Sequence, residues 1–309
     1  MLARFQIVAA ISWIFIVANS FQTNAPVSKP QIAITDLFRP GDALPSGEQY
    51  TCYRIPVLLE ASGVLLAFAE GRRYVGDHCY PRHPVPGSAP AKVNGTSGIV
   101  LRRSTDGGAT WSPMITVANI GDDFQAVADL QGNSTPVLHV QYTPDCNVVQ
   151  PNCNRLRANQ TRLVQATSLD LGLTWAPPVP IADRNGRPVL GQWDGLLVGP
   201  GAALQLRASN PHHPYRLLWC GHRDDVTYGR VSPIWSSDDG GHQHQLNAVL
   251  PMDVTPGPIP QYGPSECLFV ELPNGTVRYD ARNNFPRPTH HQARVYSLSG
   301  DGGDTWGQP

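Results

Sequence analysis

The sequence predicts an all-β fold assembled by repetition, on three observations. Glycine and proline number 29 and 30 among 309 residues, so about a fifth of the chain breaks helices and makes turns. Helical periodicity is absent at any useful length, whereas short β-rich runs such as Gly98 to Arg103 and Ala293 to Ser297 recur between turn signals. An eight-residue pattern, S-x-D-x-G-x-T-W, returns at near-even intervals.

The pattern stands at Ser104 to Trp111, Ser168 to Trp175 and Ser299 to Trp306. A degenerate copy is read at Ser236-Ser237-Asp238-Asp239-Gly240, with His242 and Gln243 in place of Thr and Trp, so that the starts fall 64, 68 and 63 residues apart. Ser and Asp side chains bond backbone N–H groups inside a turn, Gly takes a positive φ, and Trp packs the turn on its sheet. Asp106, Asp170, Asp238 and Asp301 are therefore read as structural. Each unit predicts a small antiparallel sheet, and such sheets arranged radially make a β-propeller.

Composition narrows the function. With 23 basic and 24 acidic residues the formal charge is -1, which gives no electrostatic footprint for nucleic acid or an anionic membrane. Arg4, the apolar run Ile7 to Ala18, and Ala18-Asn19-Ser20 predict a signal peptide over residues 1–20, followed by a linker over 21–32. The competing reading is a membrane anchor, but the run is shorter than the ~20 residues a bilayer span needs. No later stretch is apolar enough to span. Six cysteines in an oxidising lumen permit 15 pairings. Cys146 with Cys153 is the first choice, because their short polar loop closes easily, and Cys52 with Cys79 the second. A zinc site competes, yet no C-x-x-C occurs. Asn94, Asn133, Asn159 and Asn274 each open an N-x-S/T sequon, consistent with luminal glycosylation. No phosphate-binding glycine loop, dinucleotide fingerprint or metal-ligand spacing appears, so no cofactor is expected.

The repeats resemble the Asp boxes of sialidases and several other propellers, which indicate fold rather than chemistry. Tyr53-Arg54-Ile55-Pro56 and Ala67-Phe68-Ala69-Glu70-Gly71-Arg72 resemble the Y/F-R-I-P motif and A-x-x-E-x-R strand of exo-α-sialidases. That resemblance implies a six-bladed sialidase-type propeller over residues 33–309, of which this chain supplies roughly four blades. It implies that Arg54 grips the substrate carboxylate and that Arg72 lines the same pocket, with Arg73 the alternative register. It further implies that Asp77 protonates the leaving oxygen. Pro264-Ser265-Glu266-Cys267 and Asp280-Ala281-Arg282-Asn283 resemble the family's E-C and A-R-N segments, making Glu266 the activator of the nucleophile and Arg282 the second carboxylate-binding arginine. Gly132 to Pro136 and Gly199-Pro200-Gly201 resemble its G-N-x-x-P and G-P-G segments.

The chemistry suits that set. Guanidinium groups hold a carboxylate bidentately with a charge that does not titrate away, and sialidases use a Tyr nucleophile helped by Glu. In similar sialidases the third arginine, that Tyr and a further Glu follow the last box, so the sequence is expected to be a fragment of a longer enzyme. The implied partners are sialylated glycans on glycoproteins, oligosaccharides or gangliosides, and the implied location is the lysosomal lumen or the extracellular space. The alternative is a sialic-acid-binding propeller without turnover.

Overall fold

A computed structural model describes residues 34–73, 97–131, 135–144, 163–189, 196–225, 229–250, 263–283 and 294–307. Among them every regular element is a β-strand, and the strands form four sheets. The first contains β1 (Cys52–Ala61), β2 (Val64–Arg72), β3 (Ser97–Ser104) and β4 (Ile115–Ala118) in chain order. The second holds β5 (Asp122–Asp129), β6 (Val137–Thr143), β7 (Val164–Ser168) and β8 (Val179–Pro180). The third holds β9 (Leu197–Val198) and β11 (Leu204–Gln205), both paired with β12 (Leu217–Asp225), and continues through β13 (Gly229–Ser237) and β14 (Gln245–Leu250), while β10 (Gly201–Ala202), between β9 and β11 in the chain, joins the second sheet beside β5. The fourth has β15 (Pro264–Glu271), β16 (Val277–Asn283) and β17 (Val295–Ser299). The core lies between sheets: Phe68, Leu101, Phe124 and Val140 join the first to the second, Val127, Trp219 and Trp235 the second to the third, and Cys220, Ile234, Phe269 and Trp306 the third to the fourth. This is the predicted propeller arrangement, in four sheets.

Each Asp box follows the third strand of its sheet, and its serine is the last residue of that strand. In the first box Ser104 Oγ donates to Asp106 Oδ1 at 2.7 Å and accepts from Gly108 N at 2.8 Å, while Thr110 donates to Asp106 through its amide at 2.9 Å and its hydroxyl at 2.5 Å. Those bonds, led by the Thr110 hydroxyl, hold the Asp106 carboxyl down at about 2. Asp170 and Asp301 sit in the same lattice of bonds.

The degenerate copy is read one residue out of register. The Ser-Ser-Asp-Asp run satisfies S-x-D in two ways, and the strand decides between them. Ser237 pairs with Leu217 as Ser104 pairs with Leu65, its hydroxyl donates to Asp239 at 2.8 Å, and it accepts from Gly241 N at 3.0 Å. Asp239 therefore replaces Asp238 as the box aspartate, and Gln243 and His244 stand where Thr and Trp stand elsewhere. Asp238 instead takes a bidentate bond from Arg216 at 2.6 and 2.8 Å. Arg216, fully buried, also reaches Asp304 at 2.6 Å, so one guanidinium clamps the boxes of the third and fourth sheets.

At the axis three sheets meet on one amide. Gln125 of β5 is fully buried; its Oε1 accepts from Cys220 N at 2.9 Å on β12, and its Nε2 donates to Cys267 O at 3.3 Å on β15. Cys220 and Cys267 are joined by a disulfide, a pairing the sequence reading did not choose. Cys52 is also disulfide-bonded; Cys79, Cys146 and Cys153 lie outside the described residues. Beside the amide runs Gly199-Pro200-Gly201. Gly199 has φ +66 and a Cβ there would lie 2.6 Å from Gln125 Cγ, so only glycine lets the chain pass. The segment then crosses to pair β10 in parallel with β5.

Replacing Gln125 by Leu keeps the volume but leaves the Cys220 N–H buried without an acceptor. This change is expected to cost about 1–3 kcal/mol, seen as a lower urea midpoint at unchanged slope; an unshifted midpoint would mean the amide does not join the sheets.

Candidate active site

The boxes mark one face of the propeller. Neighbouring box ends touch, as Arg103 Nε donates to Leu171 O at 2.7 Å and Arg216 reaches Gly302 O at 3.2 Å. On the opposite face β1, β5 and β15 begin and β2, β6, β12 and β16 end.

Three of the strands that begin there break register within their first residues: between Arg54 and Val57, between Asp122 and Phe124, and between Pro264 and Cys267. Each bulge contains or adjoins a charged residue: Arg54, Asp123 and Glu266. In the first, Ile55 has φ +53, a conformation rare for a β-branched residue and held only by its surroundings. It follows Arg54, which is half-buried and directly opposite Glu70 on β2.

Arg72 and Arg73 part ways. Arg72 is 3% exposed, and its Nε lies 2.6 Å from Oε1 of the fully buried Glu70. Arg73 turns onto the Tyr50 ring, 4.6 Å from its centroid, and pairs with Glu48 at 3.2 Å. Tyr50 in turn lies across Gly71, where any Cβ would meet its ring at 2.6 Å. Glu70 is joined by Asp122 and Asp123 of β5, with carboxylate oxygens of the three within 4.8 Å of one another. A guanidinium paired with a buried carboxylate is positioned by charge as well as by packing.

On the fourth sheet Glu266 and Arg282 form an ion pair at 3.0 Å, with 43% and 57% of their side chains exposed. β10 touches both β1 and β15, so this pair and the Arg54–Glu70–Arg72 group lie on one face, either side of the axial crossing. The structure thus brings Arg54, Arg72, Glu266 and Arg282 to one end of the propeller. Asp77, Asn94, Asn133 and Asn159 lie outside the described residues. Asn274 is exposed in the β15–β16 turn, its Oδ1 accepting from Thr276 N at 3.1 Å. Sequence reasoning passed over Asp122 and Asp123, although adjacent acids opening an apolar strand are a visible signal. Glu70 stood inside a quoted motif without a role.

No family model matches the chain. Sialidase-2 of Rattus norvegicus is 30% identical over 241 residues, covering 73% of this chain and 56% of that protein. The sialidase of Micromonospora viridifaciens is 28% identical over 281 residues, 84% of this chain and 36% of its own length. The chain belongs to the sialidase family. Its propeller superposes on Trypanosoma rangeli sialidase in complex with sialic acid with a TM-score of 0.56 at 18% identity, over 89% of this chain and 41% of that one. For NanB sialidase of Streptococcus pneumoniae the TM-score is 0.58 at 16% identity, over 89% and 54% of the two chains. The chain spans about half the length of the rat sialidase and less of the bacterial ones.

Arg72→Met removes the cation from a buried acidic cluster. At pH 7 it is expected to destabilise the chain by about 3–5 kcal/mol. Crowded carboxylates then gain by protonation in the folded state, so the variant recovers part of that loss as pH falls from 7 to 5. Urea titrations at both pH values check this; a loss that does not change with pH would show that Arg72 acts by packing alone.

Proposed function

We propose that this chain carries the anion-holding and proton-transferring part of an exo-α-sialidase, a retaining glycoside hydrolase acting on terminal α-linked sialic acids of glycoproteins, oligosaccharides or gangliosides. The observation that carries the reading is the gathering of Arg54, Arg72, Glu266 and Arg282 on one face of a sialidase-family propeller. Arg54 and Arg282 hold the sialic acid carboxylate, and Arg72 lines the pocket. Arg282 meets Glu266 in the free protein and exchanges that exposed contact, worth little in itself, for the substrate anion. Asp77 gives its proton to the leaving oxygen and then takes one from water.

A carboxylate nucleophile would be repelled by the substrate's own anion, so a tyrosine oxygen assisted by Glu266 is the fitting choice. Tyr50 and Tyr53 do not supply it. Burial raises both phenols above their ordinary value, which keeps them neutral where a nucleophile needs the opposite. The reading therefore assigns the nucleophile to neither of these tyrosines. It also takes residues 1–20 as a cleaved signal, and Asn94, Asn133, Asn159 and Asn274 as acceptors of luminal glycans.

Asp77→Asn tests the assignment. It is expected to slow cleavage of natural sialosides by about 10²–10⁴-fold, to slow 4-methylumbelliferyl sialoside much less because that leaving group needs little protonation, and to leave sialic acid binding intact. Equal losses on both substrates, or loss of binding, would contradict it. Glu266→Gln is expected to shift stability by no more than about 1 kcal/mol while lowering kcat at unchanged KM; a KM effect alone would make Glu266 a binding residue.

A further inference from the structure

The joint between the second and third sheets differs from its neighbours. Where the other boxes end in Trp111, Trp175 and Trp306, the third ends in His244, 4% exposed, its ring 5.1 Å from that of Trp219. Gln141 of β6 reaches across. Its Oε1 accepts from Trp235 Nε1 at 2.8 Å, and since an indole nitrogen only donates, this bond fixes which way the amide points. Gln141 Nε2 then faces Gln165 Oε1 at 2.9 Å and His244 Nε2 at 2.8 Å. Gln165 Nε2 completes the network by donating to Gly241 O at 3.0 Å. Both Gln141 amide hydrogens are thereby used, so His244 Nε2 has to accept, and its proton sits on Nδ1, which is buried without a partner. A second proton on His244 would set two donors head to head. Beside it His139, 3% exposed, touches Thr167 Oγ1 at 3.4 Å through Nδ1, and its Nε2 is buried without a partner.

We propose that this joint is a proton-operated latch: protonation of His244 and His139 breaks the contact between the second and third sheets. His244 also forms part of the floor of a cleft of about 620 Å³ lined by Asp183, Arg184, Asn185 and Gln243, which gives water a route to the ring. The charged groups facing the pair are few. Asp183 and Arg184 come from the connection after β8, and Asp239 and His242 from the box. Asp239 already accepts from Ser237 Oγ, His242 N and Gln243 N. Beneath Gly240, Asp129 of β5 is engaged by Gln205 at 2.5 Å. Among the described residues β7, β12 and β13 contribute Gln165, Thr167, Trp219 and Trp235 to the network, all uncharged.

Burial, reinforced by the neighbouring histidines, lowers both imidazoles to about 4. The sign follows. An imidazole depressed in the closed joint stabilises it fully above its unfolded value of about 6.5, and that advantage falls away as pH drops toward 4. The box aspartates Asp106, Asp170 and Asp301, held at about 2, do not titrate in this window. The latch stands on its own geometry and does not depend on the sialidase reading.

The test is the pH dependence of unfolding of the 309-residue chain, with imidazole proton NMR of the folded protein. Between pH 6 and 4.5 the wild-type unfolding constant is expected to rise about tenfold more per pH unit than that of His244→Gln, which keeps an acceptor for Gln141 without titrating. In wild type the His244 ring signal stays neutral at pH 5.5. Parallel pH slopes in the two proteins, or a His244 ring that titrates near 6.5 in the folded state, would overturn the proposal. The NMR titration decides even if the variant does not fold.

Discussion

The arrangement depends on how its sheets are held at the axis, and there one buried amide bonds three of them together. Gln125 satisfies a backbone donor on β12 and a backbone acceptor on β15 while itself belonging to β5. The register of β5 and β15 matters to the site, because Asp122 and Asp123 on the first and Glu266 on the second stand within the opening residues of their strands, at a bulge. The disulfide between Cys220 and Cys267 covalently fixes two of the same three sheets. Gly199 is the steric condition for both, since a side chain there would strike Gln125.

Away from the axis the molecule divides its two faces by chemistry. The box face is held by short charge-assisted bonds that persist at low pH, together with the Arg216 clamp between Asp238 and Asp304. The opposite face concentrates charge that is hard to bury. Arg72 and Glu70 lie inside, with Asp122 and Asp123 crowding the same carboxylate. Such a cluster adds little net stability, but it holds a guanidinium in one orientation. The exposed Glu266–Arg282 pair is the opposite case, open to water and worth little in itself.

What could be read in the sequence was what local chemistry determines. Asp106, Asp170 and Asp301 sit in turns whose bonds run within eight residues, so pattern and spacing suffice. Asp238 was misread because a doubled serine and a doubled aspartate offer two local registers, and only pairing with Leu217 separates them. The same slip hid that His244, not Gln243, occupies the tryptophan position. Cys220 and Cys267 are 47 residues apart and meet only through the packing of two sheets, which no local rule anticipates. Arg72 and Arg73 differ through Tyr50, whose ring crosses Gly71 and stacks with the second arginine, a contact no local pattern announces.

The central claim is that Arg54 and Arg282 recognise an anion on a sugar, and calorimetry of the 309-residue chain with sialic acid and with its methyl ester tests it most directly. The two ligands differ only in the carboxylate charge. The account predicts that the free acid binds and that the ester loses most of the affinity, with the difference abolished in the Arg54→Gln Arg282→Gln double variant. Equal binding of acid and ester, or a preference that survives the double substitution, would contradict it.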